Sequence, residues 1–199
     1  MDTLAAAIVL VTVVAVVLDS AFMWPQAIKL TRTRDIAGVS ALTWTFGVVF
    51  SAAWAAYAAS VNLWPLFASN VACTIAAALA MWAGTRSGWP ARYAVWSTVC
   101  AGAAVLTGLF LPVAVVTVLT VGAVIFAVPQ FVAVCRAPSV SGVSSATWWL
   151  NVAVSASWLA VGWYEGATGV VVANVASLAA LAAVLAALYI RKIKGGNRR

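Results

Sequence analysis

The chain has 199 residues, of which 65% are hydrophobic and only 8% are charged, and its mean hydropathy is +1.07. Ordinary soluble domains are about half apolar and a quarter charged, so this composition excludes a soluble domain and indicates that lipid is the main solvent. The net charge of +7 comes without any histidine, the commonest general base and metal ligand. The three cysteines lie in apolar stretches and predict neither a disulfide nor a metal site.

Seven apolar segments follow one another along the chain. A transmembrane helix needs about 20 apolar residues, and each segment meets that length. The first one lacks a basic lead and a cleavage site, so it is interpreted as a retained helix and not as a signal peptide. The predicted spans are residues 4–27, 40–60, 64–84, 93–111, 113–135, 144–164 and 167–190.

The basic residues orient these spans. In a seven-span arrangement all 11 Lys and Arg residues fall on one side, in the segments 28–39, 85–92, 136–143 and 191–199. The positive-inside rule makes that side cytoplasmic. We therefore predict a multi-pass plasma-membrane protein with its N-terminus outside and its C-terminus inside. A basic membrane edge is ordinary, so no nucleic-acid partner is expected.

The chain repeats itself at an offset of 104 positions. Residues 22–78 and 126–182 share 19 identities over 57 positions without a gap. Rare residue types carry the match, which makes an internal duplication the natural explanation. The matched pairs include Pro25-Gln26 with Pro129-Gln130, Gly38-Val39-Ser40 with Gly142-Val143-Ser144, Trp54 with Trp158, and Asn70 with Asn174.

The repeat predicts the domain plan of an all-α membrane protein. Each copy holds three spans, and the fourth span belongs to neither. One extra crossing gives both copies the same orientation, as parallel bundles about an axis along the membrane normal. We expect a three-helix repeat over 1–84, a linker helix over 85–112, a second three-helix repeat over 113–190 and a basic cytoplasmic tail over 191–199.

The doubled Pro-Gln, Gly-Val-Ser, Thr-Trp, Trp and Asn pattern resembles the PQ-loop proteins, and the 3+1+3 plan is similar to that of the SWEET sugar transporters. The Thr-Trp pairs stand where eukaryotic SWEETs often have a proline, so the chain looks closer to two fused SemiSWEET-like units. The resemblance implies that a Trp on the second span and an Asn on the third line the substrate pocket. By that resemblance, the pocket residues here are Trp54, Asn70, Trp158 and Asn174.

The chemistry of these residues fits a solute site, although each residue type also has a common structural role. An amide suits a sugar hydroxyl, but Asn can equally clasp two helices. Indole rings stack on sugars, but Trp also packs or belts the membrane interface. Ser51 and Ser155 lie one turn before the two tryptophans and are further candidates for hydroxyl contacts.

The Pro-Gln pairs are predicted hinges. Proline removes a helix hydrogen bond and kinks the helix, and the neighbouring amide of Gln26 or Gln130 offers a donor to the freed carbonyl. Pro25 and Pro129 would then be the two hinges of a cytoplasmic gate, or else simple static bends.

Asp19 is the one acid well inside a span, and its mate in the second repeat is Ala123. Intramembrane acids are often proton or cation sites, so Asp19 is a candidate for proton coupling or a polar tie to a neighbouring helix.

The sequence therefore favours a uniporter that moves a small neutral polar solute, a mono- or disaccharide, by alternating access. A PQ-loop carrier of amino acids or other solutes, with or without proton coupling, and a membrane receptor or sensor remain alternatives. We expect no enzymatic activity, no cofactor and no metal, and the chain is expected to act as a monomer or a homo-oligomer.

Overall fold

The computed structural model describes residues 3–196, with the backbone alone for residues 3–5, 112–121, 123–124 and 195–196. All regular secondary structure in this part of the chain is α-helical, which confirms the predicted all-α class. The eight helices are α1 (Thr3–Ala21), α2 (Trp24–Thr33), α3 (Ala41–Ser60), α4 (Trp64–Arg86), α5 (Arg92–Phe110), α6 (Pro112–Arg136), α7 (Ser145–Tyr164) and α8 (Thr168–Gly196).

The helices follow the predicted segments closely, with three differences. The first predicted span is interrupted at Phe22 and Met23, between α1 and α2. The first predicted span ends at residue 27, but α2 continues to Thr33 and ends at Arg34, whose φ is +53°. The last predicted span ends at residue 190, but α8 continues into the basic tail as far as Gly196. The tail residues 197–199 lie outside the described part of the chain.

Five helices are long and apolar enough to cross a bilayer, counted over the described residues. They are Ala6–Thr33, which joins α1 and α2, and then Ala41–Ser60, Trp64–Arg86, Arg92–Phe110 and Thr168–Lys194. The described apolar part of α6 is shorter, and serines, tryptophans and an asparagine lower the hydropathy of α7. Several helices thus suit a membrane, in agreement with a membrane protein.

Helix starts and turns explain the short connections. Pro65 and Pro112 stand in the first turn of α4 and α6, where proline removes no helix hydrogen bond. Ser40 caps α3, because its hydroxyl accepts a hydrogen bond of 3.2 Å from the backbone N–H of Thr43. Asn62 takes a φ of +59° in the tight turn between α3 and α4. These two helices consequently pack side by side.

The two repeats pack in the same way. In the first, α4 lies against both α3 and the α1–α2 pair, and in the second, α8 lies against both α6 and α7. The repeats meet through α1 against α7 and through α3 against α6. Helix α5 packs mainly on α3, outside this arrangement. The first span of each repeat therefore faces the second span of the other repeat across one central interface.

Candidate functional site

A cavity of about 330 Å³ lies at the interface between the two repeats. Its volume is at the lower end of the roughly 300–1,000 Å³ typical of small-molecule sites. The lining comes from both repeats and includes all six side chains predicted to contact a solute: Ser51, Trp54, Asn70, Ser155, Trp158 and Asn174. The structure therefore brings together residues that are up to 123 positions apart in the sequence.

The two asparagines are held by their own helices. Nδ2 of Asn70 donates to the carbonyl of Leu66 at 3.0 Å, and Nδ2 of Asn174 donates to the carbonyl of Val170 at 2.8 Å. Each bond joins an amide to the carbonyl one turn earlier, a common arrangement for short polar side chains within helices. Asn70 is 6% exposed and Asn174 is half-buried. Neither amide clasps a neighbouring helix, which leaves its oxygen available to a solute.

The tryptophans and serines complete the lining from the second span of each repeat. Trp54 and Trp158 are half-buried, and the ring of Trp54 meets the ring of Tyr57 edge to face at 5.7 Å. Ser51 and Ser155 are buried, and the hydroxyl of Ser155 lies 3.3 Å from that of Ser177. Flat apolar rings beside a few polar groups are the usual composition of a small-molecule site.

Asp19 also lines the cavity, in the last two turns of α1. Its Oδ2 accepts a hydrogen bond of 3.0 Å from the hydroxyl of Ser69, so the acid is tied to α4. The mates of these two residues in the second repeat are both alanine. Among the described side chains, no basic group pairs with Asp19, and no three potential metal ligands gather. The cavity is therefore acidic on the side of the first repeat.

Below the cavity, the two Gln side chains exchange hydrogen bonds between the repeats. Gln26 donates from Nε2 to the carbonyl of Gly142 at 2.9 Å and accepts at Oε1 from the N–H of Ser144 at 2.6 Å. Gln130 makes the equivalent bonds to the first repeat. Its Nε2 donates to the carbonyl of Gly38 at 2.6 Å, and its Oε1 accepts from the N–H of Ser40 at 3.0 Å. We call these four bonds the glutamine clasp. The amides thus bind the Gly-Val-Ser loop of the opposite repeat, not a carbonyl freed by the adjacent proline.

The glycines of the two loops allow this close approach. A Cβ on Gly142 would overlap the carbonyl oxygen of Asp35 and lie within 3 Å of the backbone of Ala37. The backbone N–H of Gly142 itself donates to the carbonyl of Ala37 at 3.2 Å. Lys29 adds a bond of 3.0 Å from Nζ to the carbonyl of Val143. Both loops lie at one end of the bundle, which we call the motif end, and corresponding parts of the repeats therefore point the same way.

Two large aromatic side chains fill the space near the motif end. Trp44 and Trp148 are each 1% exposed, and the ring of Trp148 lies 6.0 Å from that of Phe126. Beside them, the hydroxyls of Thr43 and Thr147 and Nε1 of Trp44 are buried without a hydrogen-bond partner among the described residues. Buried polar groups are normally paired, so these three are costly in this conformation.

The two prolines differ in their surroundings. Pro25 stands in the first turn of α2, directly after a break at Phe22 and Met23, both of which line the cavity. Pro129 lies inside the continuous helix α6. Because proline is tolerated in a first helical turn, Pro25 costs its helix no hydrogen bond, whereas Pro129 does. The chain is therefore already interrupted at the first proline and continuous at the second.

Reasoning from the repeat missed several residues of the cavity. Asn151 lines the cavity, and Ser69 donates a hydrogen bond to Asp19. The corresponding residues of the other repeat are Gly47 and Ala173, so neither residue belongs to a matched pair. Cys73 also lines it and donates from Sγ to the backbone carbonyl of Asp19 at 2.8 Å. A polar residue in the middle of an apolar helix is the signal that identifies Asn151.

No family model, no curated protein and no solved structure matches the chain.

Proposed function

We propose that the protein is a membrane carrier of the PQ-loop and SWEET type, which moves a small polar solute of sugar size down its gradient. The observation that carries this proposal is the central cavity, lined by the same Ser, Trp and Asn residues from each repeat and closed at the motif end by the glutamine clasp. A neutral mono- or disaccharide is the leading class of solute, because its hydroxyls suit amide oxygens and its apolar face suits an indole ring.

The membrane arrangement is part of the proposal. The α1–α2 pair and each helix from α3 to α8 cross the bilayer once, which gives seven spans. The motif end is cytoplasmic, because Lys29, Arg32, Arg34 and Arg136 surround it, and basic loops stay on the inner side. The cavity extends to Leu66 and Val170, in the first turns of α4 and α8. The structure then corresponds to a carrier that is closed on the inside.

Transport requires a second conformation in which the clasp opens. The two repeats rock against each other about the central interface, and the solute faces the cytoplasm. The buried hydroxyls of Thr43 and Thr147 support this step, because water reaches them only when the motif end separates. Each unpaired hydroxyl destabilises the closed state by about 1–3 kcal/mol, which lowers the free energy needed to open the motif end.

Uptake into liposomes tests this function. Purified protein is reconstituted, and entry of radiolabelled glucose and sucrose is followed without any ion gradient. We expect saturable uptake that Asn70→Ala and Asn174→Ala each reduce by about tenfold or more, while Thr98→Val, on an exposed face of α5, has no effect. Absence of sugar uptake, with amino acids transported instead, would favour a PQ-loop amino-acid carrier.

Asp19 supports a second candidate, a proton-coupled carrier. The carboxyl group lines the cavity and is the one acid there among the described residues. Proton coupling predicts that uptake follows an imposed pH gradient and that Asp19→Asn removes this dependence. Facilitated diffusion predicts equal initial rates with and without the gradient.

Counterflow of labelled sugar, which needs no gradient, distinguishes a carrier from a receptor.

A further inference from the structure

The hydrogen bonds within the cavity determine which solute groups it can accept. Nδ2 of Asn70 directs its N–H groups to its own helix, with a hydrogen bond of 3.0 Å to the carbonyl of Leu66 and a longer contact of 3.4 Å to the hydroxyl of Ser69. Its Oδ1 has no hydrogen-bond partner among the described residues. Because an amide oxygen only accepts and both N–H groups point to the helix of Asn70 itself, this residue offers the solute mainly an acceptor.

Asp19 continues this pattern beside Asn70. The single proton of the Ser69 hydroxyl is shared between Oδ2 of Asp19 at 3.0 Å and the carbonyl of Leu66 at 3.1 Å. An ionised carboxylate is purely an acceptor, and Oδ1 of Asp19 stays free of hydrogen bonds among the described residues. When Asp19 is ionised, the wall from the first repeat is therefore a row of acceptors with one negative charge.

The wall from the second repeat is different because Ala173 replaces Ser69 there. Asn174 has only the bond to Val170, so one of its N–H groups stays available together with its oxygen. Ser155, Ser177 and Asn151 add groups that both donate and accept. The cavity is thus polarised, with acceptors and a charge on one side and mixed groups on the other.

We propose that the cavity prefers a polyhydroxylated solute that carries a protonated amine, such as a 2-amino-2-deoxyhexose, over the neutral hexose. The ammonium group donates to Asp19 and to Oδ1 of Asn70, and the hydroxyls occupy the mixed side. This satisfies a cavity charge that no basic side chain neutralises among the described residues, and a charge in an apolar environment is costly without a partner. The inference rests on the proposed carrier function and narrows its substrate class from sugars in general, of which the neutral ones were the first choice, to amino sugars.

Binding to the wild-type protein decides this first. The affinities of glucosamine, glucose, N-acetylglucosamine and glucuronate for the purified full-length protein are measured by isothermal titration at pH 7. We expect glucosamine to bind about tenfold more tightly than glucose, since a charge-assisted hydrogen bond exceeds a neutral one by roughly that factor. Glucuronate should bind more weakly than glucose, and N-acetylglucosamine, which has no charge, should lose the advantage of the amine.

Variants then locate the effect. In Asp19→Asn, which keeps the shape and the acceptor for Ser69, we expect the ratio of glucosamine to glucose affinity to fall to about one. Glu165→Gln removes the same charge from an exposed turn and should leave the ratio unchanged. Equal affinity of wild-type protein for glucosamine and glucose overturns the inference and leaves the carrier function standing. Failure to bind any of the four solutes counts against the carrier function itself.

Discussion

The backbone N–H of Ser144 donates a hydrogen bond of 2.6 Å to Oε1 of Gln26, although the two residues are 118 positions apart and belong to different repeats. The repeat symmetry duplicates this bond between Ser40 and Gln130 at 3.0 Å. Both glutamines are 1% exposed, so these bonds are formed away from water. The clasp therefore joins the repeats at one end, below the cavity that they share.

Gln26→Leu and Gln130→Leu should each weaken the closed motif end. Each change leaves one buried N–H and one buried carbonyl of the opposite loop unpaired, at about 1–3 kcal/mol per group. We expect a lower melting temperature for each variant and similar losses for the two. The measurement is thermal unfolding in detergent, monitored by tryptophan fluorescence. Markedly unequal losses would contradict the symmetric role of the two amides.

Gly142→Ala should separate the two Gly-Val-Ser loops. The added methyl group meets backbone atoms of Asp35 and Ala37, and backbone cannot move aside as a flexible side chain can. We expect a loss of stability by about 1–3 kcal/mol and reduced transport. Gly102→Ala is the matched control, because nothing lies within 4 Å of its Cβ position. A Gly142→Ala protein as stable as the Gly102→Ala protein would rule out the close crossing.

Thr43→Val and Thr147→Val should stabilise the conformation described here. Valine has nearly the shape of threonine, and each change removes a buried hydroxyl that has no partner among the described residues. We expect a higher melting temperature together with slower transport, because the state that hydrates these positions loses its advantage. Thr98→Val on exposed α5 should change neither quantity. Faster transport by the two variants would contradict this role.

Trp54→Ala and Trp158→Ala should each raise the dissociation constant of the solute. Each variant loses a ring that lines the cavity, and we expect a weakening of about tenfold or more. Trp96→Ala is a suitable control, because that ring is 60% exposed on α5 and does not line the cavity. Titration of solute against the intrinsic fluorescence of the remaining tryptophans measures the effect. Equal affinities for all three variants would move the site elsewhere.

The sequence predicted much of the fold because its signals are local. Apolar runs, prolines and tight turns lie within a few residues of each other, and the helix bounds deviate mainly at Thr33 and Gly196. The resemblance to the PQ-loop proteins implied that Trp54, Trp158, Asn70 and Asn174 line one pocket, and all four side chains line the central cavity. The all-α class is confirmed, whereas the seven-span arrangement stays a prediction: over the described residues five helices are long and apolar enough to cross a bilayer, and α6 and α7 are not among them.

The rest depended on contacts between distant parts of the chain. No local pattern indicates that Gln26 binds the loop of residues 142–144, because a glutamine amide can also bond to backbone carbonyls of its own helix. The break at Phe22 and Met23 was equally hidden, since the apolar run continues through it. Ser69 and Asn151 were not predicted as site residues, because the comparison of the repeats identifies only residues that occur in both. These two residues make the two sides of the cavity different.

Access to the cavity from both sides of the membrane tests the proposed carrier function most directly. In a protein without its native cysteines, Ala173→Cys places a thiol on the cavity wall, and a membrane-impermeant maleimide is added to one face of oriented vesicles at a time. We predict labelling from the outer face, slower labelling from the motif face, and faster labelling from the motif face when Gln26→Leu opens the clasp. Labelling from the outer face alone, unchanged by Gln26→Leu, would contradict alternating access.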